Sequence, residues 1–335
     1  MPLNSNDSFR PAWWIPSAHL QTVWGRLTRP RRLLQYRREV LETPDGDDLV
    51  LDWTGGDPGR PIVIALHGLE GSSYSVYIQG VLALAAGKGW RGVAMNFRSC
   101  ARDPARHSRM LWNRRPRLYH SGDTGDLDFL VRTLAAREPG TPLVVFGASL
   151  GGNVLTKWMG ENPRQSAVVA GAAVSTPFDL AASGRYMERG LGPWYTGSFL
   201  ATLRPKAVEA ARRFPEAAAR IDVARTRESR TFREFDDAAN APLHGFAGAD
   251  DYYARASSLS YLQAVGAPLL CVSAEDDPFL PPEALERARA IASPAVEFVT
   301  PPRGGHIGFV AGAPWRPRFW GENRAMAHFA RHLPA

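Results

Sequence analysis

The sequence predicts an α/β fold: a mostly parallel, doubly wound sheet with an N-terminal antiparallel hairpin and a helical insertion late in the chain. Three observations predict it. Short continuous apolar runs, such as Ile62-Val63-Ile64-Ala65-Leu66 and Leu143-Val144-Val145-Phe146, read as strands buried on both faces. Segments of helical period separate them, as parallel strands require. The stretch from Asp179 to Leu262 holds no strong strand and is rich in Ala, Arg and scattered aromatics.

The elements follow in order. Residues 1–35 are aromatic and proline-rich, with Trp13-Trp14, Trp24 and prolines at Pro11 and Pro16, and end in the basic cluster Arg29, Arg31, Arg32, Arg37 and Arg38. The prolines break any long amphipathic helix, so this segment reads as an arm packed on the body. Val40 to Thr43 and Leu49 to Trp53 flank Pro44-Asp45-Gly46-Asp47 and read as a hairpin. Strands at Ile62–Leu66 and Val93–Phe97 enclose a helix from Val76 to Lys88. A helix from Asp123 to Arg137 precedes the strand at Leu143, and its acidic start suits the helix dipole. Another strand covers Ala167 to Val174. After the insertion come a strand at Pro268–Ser273, a helix at Pro282–Ile291, a strand at Val296–Thr300 and a last helix from Glu322 to His332. Neither repeats nor a low-complexity linker divide the chain. Residues 1–335 therefore read as a single domain, with an arm over 1–35 and a helical lid over 179–262.

Composition narrows the function. Of 335 residues 44% are hydrophobic and 22% charged, which describes a globular chain with a sizeable core. The net charge is +7, but lysine occurs only at Lys88, Lys157 and Lys206, so arginine carries nearly all the positive charge. The arginines are dispersed and fit no nucleic-acid module, so nucleic acid is not an expected partner. Two cysteines, Cys100 and Cys271, give no disulfide framework and point to a reducing compartment. No apolar run is long enough for a membrane span and no signal peptide is evident, so the expected location is cytoplasmic. Contact of the Trp/Arg-rich arm with a membrane surface is the remaining membrane reading.

The chemistry centres on Gly147-Ala148-Ser149-Leu150-Gly151. This G-x-S-x-G follows a strand and opens a helix, the context of a nucleophile elbow. A serine hydroxyl needs a base, and the base needs an orienting acid. On this fold the partners should follow the serine as acid, then histidine, just past later strands. Glu275-Asp276-Asp277-Pro278 follows one such strand, and Gly304-Gly305-His306 follows the next. His306 is the candidate base; His120, near a helix start, is a candidate neighbour. His19, His107, His244, His328 and His332 read as surface or packing residues. Asp277 is preferred as the acid over Asp276 and Glu275, because Pro278 fixes the turn after it. The oxyanion needs fixed N–H donors. Leu150 follows the nucleophile, and Leu69 lies in the loop His67-Gly68-Leu69-Glu70-Gly71 after the strand ending at Leu66. No ligand spacing suggests a metal, and no glycine-rich loop suggests a nucleotide, so no cofactor is expected.

With these residues assembled the chain resembles the YheT-like family of α/β-hydrolases. The likeness rests on His19-Leu20-Gln21-Thr22, His67-Gly68-Leu69-Glu70-Gly71, Asn96-Phe97-Arg98-Ser99-Cys100, Tyr119-His120-Ser121-Gly122-Asp123, the serine elbow, Pro177-Phe178-Asp179-Leu180, Phe235-Asp236, Asp251-Tyr252-Tyr253, Asp276-Asp277-Pro278-Phe279 and Gly304-Gly305-His306-Ile307-Gly308-Phe309. It spans nearly the whole chain. The resemblance implies the α/β-hydrolase fold, a Ser149–Asp277–His306 triad and esterase activity on short- or medium-chain acyl esters. Ser99 departs from the family, which usually has Gly after the Arg. The expected partner is a small-molecule acyl ester, lipid-like esters included. The competing readings are a thioesterase, lipase or acyltransferase with the same triad, and a binding protein on a hydrolase fold.

Overall fold

A computed structural model of the protein describes residues 8–30, 34–106 and 108–333. Arg31 and Arg32 of the basic cluster, and His107, lie outside the described residues. The strands are β1 (Arg37–Glu42), β2 (Asp48–Trp53), β3 (Ile62–Leu66), β4 (Arg91–Asn96), β5 (Leu143–Ala148), β6 (Val168–Val174), β7 (Leu269–Val272), β8 (Val296–Val299), β9 (Val310–Ala313) and β10 (Arg316–Phe319). The first eight form one sheet in the order β1-β2-β4-β3-β5-β6-β7-β8. β2 runs antiparallel to both β1 and β4. Every other pairing in this sheet is parallel. This is the predicted α/β-hydrolase architecture: a mostly parallel sheet with an antiparallel hairpin at one edge.

Period-two alternation explains the two-sided core. Ile62, Ile64 and Leu66 of β3 pack on one face with Leu127 and Leu130 of helix Gly125–Arg137 and Val154 and Trp158 of helix Leu150–Glu161. Val63 and Ala65 pack on the other with Val81 of helix Val76–Ala86 and Phe329 of helix Trp320–His332. Both faces are covered, so the strands are apolar throughout rather than alternating.

Two features differ from the sequence reading. The prolines of the arm do not prevent a helix there. Helix Ala18–Thr28 forms between Pro16 and Pro30, which bound it from outside. The arm packs on the body: the Ala12 amide donates to the Val310 carbonyl, and the Trp14 indole N–H to that of Gly312. A second, two-stranded sheet, β9–β10, is not among the elements read from the sequence, and Pro314 and Pro317 interrupt its sequence. It tolerates Pro317 because a two-stranded ribbon leaves one edge without ladder bonds. The segment between β6 and β7 is helical, as read, and its longest element is helix Gly192–Arg213. Among the described residues no helix is long and apolar enough to cross a membrane.

Candidate active site

Ser149 stands between β5 and helix Leu150–Glu161 with φ 52° and ψ −118°, a strained conformation for a side chain bearing a Cβ. The strain is held in place from both sides. The Ser149 amide donates to the Val174 carbonyl of the adjacent β6 at 2.8 Å. A Cβ on Gly147 would lie 2.4 Å from the Gly151 carbonyl oxygen, and one on Gly151 would lie 2.5 Å from the Leu66 carbonyl oxygen. Only glycine fits at these two positions, so the G-x-S-x-G spacing follows from backbone contact between helix and strand.

The structure brings Ser149, Asp277 and His306 together. His306 Nε2 lies 3.0 Å from Ser149 Oγ. Its Nδ1 lies 2.9 and 3.1 Å from the two carboxylate oxygens of Asp277. With Asp277 accepting from Nδ1–H, the Nε2 lone pair faces the serine hydroxyl. Asp277 is 1% exposed, and it also accepts the Phe279 amide. The competing acids are elsewhere. Asp276 accepts the Gly305 amide and so anchors the histidine loop, while the Glu275 side chain is exposed. Four further contacts fix that loop. The His306 amide donates to Thr22 Oγ1 of the arm, and the Ile307 amide to Ser175 Oγ. Gly305 packs against the Ala18 carbonyl, and the Phe279 ring lies 4.3 Å from the imidazole, centroid to centroid.

The loop after β3 closes against the elbow, with a Gly68 Cβ falling 3.2 Å from Ser149 Cβ. Three of its amides are engaged: Gly68 donates to Tyr77 Oη, Glu70 to Tyr119 Oη, and Gly71 to the Gly68 carbonyl. Leu69 N–H has no such partner among the described residues. Leu150 N–H opens its helix and points out of the first turn. His67 accepts the Phe97 amide at Nε2 and donates from Nδ1 to the Gly68 carbonyl. Burial pushes its pKa down to about 4, so it is a neutral strut of the loop.

A model of the "alpha/beta hydrolase fold" family matches residues 61–313. The chain belongs to the α/β-hydrolases. Within them it falls in the YheT-like family, being 34% identical to "Putative esterase YheT" of Escherichia coli (strain K12) over 99% of this chain and 96% of that protein. It is 30% identical to "Phospholipase ABHD3" of Mus musculus over 91% of this chain and 74% of that protein. The Pyrococcus furiosus esterase Pf2001 aligns with a TM-score of 0.56 at 17% identity, covering 90% of this chain and 94% of that one, a likeness of fold.

In this α/β-hydrolase a cavity of about 150 Å³ opens over Ser149 and His306. Its walls are mostly apolar, and the helical insertion supplies Met187, Phe199, Phe232 and Phe235. Two polar features in it were not legible in the sequence. Lys206 of helix Gly192–Arg213 forms a buried ion pair with Glu70, the residue after Leu69. Tyr119 Oη donates to the same carboxylate at 2.9 Å. Burial is the largest single influence and would raise the Glu70 pKa, but the Lys206 charge and the hydrogen bonds from Lys206 and Tyr119 together outweigh it and hold the carboxyl below its usual value. Opposite, Asp236 accepts from Tyr253 Oη at 2.7 Å and from Asn240 Nδ2 at 3.0 Å, with no cation paired to it among the described residues. Burial raises its pKa to about 7. His120 also lines the cavity, and burial, then the neighbouring His244, pushes its pKa well below the ordinary range. Of the histidines read as packing residues, His19 stacks on Tyr195 with ring centroids 5.8 Å apart, and His328 is buried.

Proposed function

We propose that the protein is a serine carboxylic-ester hydrolase acting on short- to medium-chain acyl esters through a covalent acyl-enzyme. The observation that carries this reading is the hydrogen-bonded line from Asp277 through His306 to Ser149, with Nε2 3.0 Å from Oγ. His306 takes the Ser149 proton as Oγ attacks the acyl carbon. Asp277 accepts from Nδ1–H, keeps the imidazole in the reactive tautomer and stabilises the imidazolium. The amides of Leu69 and Leu150 donate to the oxyanion. His306 then protonates the leaving alcohol, and a water deprotonated by the same imidazole releases the acid.

The cavity supports the substrate class. A volume of about 150 Å³ takes an apolar group about the size of benzene, which fits a short acyl chain. The esterase and lipase names among the relatives agree with an ester bond. The test is fluorophosphonate labelling with a panel of p-nitrophenyl esters from two to twelve carbons. Labelling of the wild type and not of Ser149→Ala, with turnover falling off at long chains, is the expected result. Labelling that persists in Ser149→Ala would sink the assignment of the nucleophile, and a flat chain-length profile the assignment of the pocket.

A further inference from the structure

We propose that the face built by the N-terminal arm, helix Ala18–Thr28 and the β9–β10 hairpin docks on the anionic surface of a lipid bilayer. The inference starts from exposed apolar side chains that the folded chain leaves uncovered. Eight large hydrophobic side chains are exposed among the described residues, and four of them, Trp13, Leu20, Leu27 and Trp315, lie on these three elements. Trp13 is 78% exposed and Trp315 84%. Leu20 and Leu27 are seven residues apart and share one side of the helix. Scattered exposed apolar residues are ordinary, but a set gathered on adjoining elements marks a contact surface.

The elements do adjoin. Trp14 packs on Trp24 and donates to the Gly312 carbonyl, which ties the arm to both the helix and β9. The end of the helix lies on β10, with the Arg29 guanidinium 3.8 Å over the Phe319 ring. The patch reaches the rim of the cavity through His19, which stacks on Tyr195, whose ring in turn meets Phe279 beside His306.

Charge names the partner. Residues 8–30 and 301–319 contain no acidic residue. Arg10, Arg26, Arg316 and Arg318 are exposed there, and among the described residues none forms an ion pair. The helical insertion, by contrast, intersperses its arginines with acidic residues, and Arg212 and Arg213 pair there with Glu209, and Arg233 with Asp250. Uncompensated guanidinium groups set among exposed tryptophans match an anionic headgroup layer, where indoles sit at the interface and arginines meet phosphates. Docking this way would set the cavity rim against the bilayer.

The experiment uses the full chain with vesicles of pure phosphatidylcholine, and with vesicles containing roughly a third phosphatidylglycerol. Flotation is expected to show binding to the anionic vesicles, weakened by salt and weaker on the neutral ones. Arg316→Gln/Arg318→Gln should weaken it by about fivefold per arginine. Trp13→Ser/Trp315→Ser should weaken it on the order of tenfold. Thermal melts of both variants should match the wild type, because neither pair is buried or ion-paired. Absence of wild-type binding to anionic vesicles overturns the proposal, as does binding that neither double variant weakens. A wild-type dimer that Trp13→Ser/Trp315→Ser dissociates, with no vesicle binding, would assign the face to a second copy of the chain instead.

Discussion

The strand ends and the helical insertion meet across one cavity, yet they are built on different principles. At the strand ends, position is set by backbone. Ser149 has φ 52°, Glu70 φ 55°, Ser175 φ 51° and Ile307 φ 60°, and each belongs to a turn held by hydrogen bonds to neighbouring elements. The insertion is set by side chains. Its core is an apolar cluster of Leu200, Leu203, Ala207 and Phe235, and it is pinned to the frame by a few buried polar contacts such as Lys206–Glu70. The difference separates two tasks. A reaction needs atoms placed to fractions of an ångström, which a strained and over-determined backbone provides. Under the proposed esterase function, selecting an acyl group would need only volume and apolar surface, which packed helices supply.

The comparison can be broken in order of expected effect. Ser149→Ala should cost on the order of 10⁴-fold or more in kcat for p-nitrophenyl butyrate, with the melting temperature little changed. Loss of fold instead of activity would mean that the elbow serine is structural. Lys206→Met attacks the tie between the two regions. It leaves the Glu70 carboxylate buried without its partner, at a cost of about 3–5 kcal/mol in urea unfolding. Lys206→Met/Glu70→Gln should recover much of that loss. A single variant as stable as the wild type would show that the pair does not hold the insertion down.

Acid and base should separate the same two regions. His67, in the frame, has its pKa held near 4 against an ordinary 6.5. The unfolded chain therefore takes up a proton that the folded one refuses, and stability is lost as pH falls from 6.5 towards 4, by up to about 3 kcal/mol. In His67→Gln the deficit relative to wild type should shrink over that window. Asp236, in the insertion, has its pKa raised to about 7. There the unfolded chain gives up its proton first, and stability is lost as pH rises from the ordinary carboxyl range to 7. Asp236→Asn should gain on the wild type across that rise. Parallel unfolding curves for either variant across its window would remove that residue from the account.

The smallest effect concerns Ser99. It is buried with φ 57° at the position where the resembling family usually has glycine. Ser99→Gly should relieve left-handed strain and leave stability within about 1 kcal/mol of wild type, since the Ser99 amide keeps its bond to Asn113 Oδ1. A larger loss would show that the serine side chain does more than fill the turn.

Much of the frame was legible because each part leaves a local signature. Gly147 and Gly151 report a backbone contact. Asp277 was separable from Asp276 by Pro278, and the structure gives the two acids different work, one on the imidazole and one on the Gly305 amide. The insertion was legible only as a helical segment. Nothing near Lys206 in sequence points to Glu70, because a pairing across 136 positions is decided by how the helix lands. The arm shows the same limit. Its prolines read as breaks in a long helix, whereas helix Ala18–Thr28 forms between them, and the contact of Thr22 Oγ1 with the His306 amide leaves no local signal. The β9–β10 ribbon was missed because two four-residue strands interrupted by Pro314 and Pro317 carry no long apolar run or alternation to mark them.

The sequence by itself determined the sheet, the elbow and the order of serine, acid and histidine, because strand burial, glycine contacts and turn chemistry act over a few residues. Tertiary structure alone decided the cavity's size, the Lys206–Glu70 tie, the raised pKa of Asp236 and the adjacency of the arm, helix Ala18–Thr28 and the β9–β10 hairpin. Each of these depends on side chains far apart in the chain being packed together, and burial and charge take their values only once that packing exists.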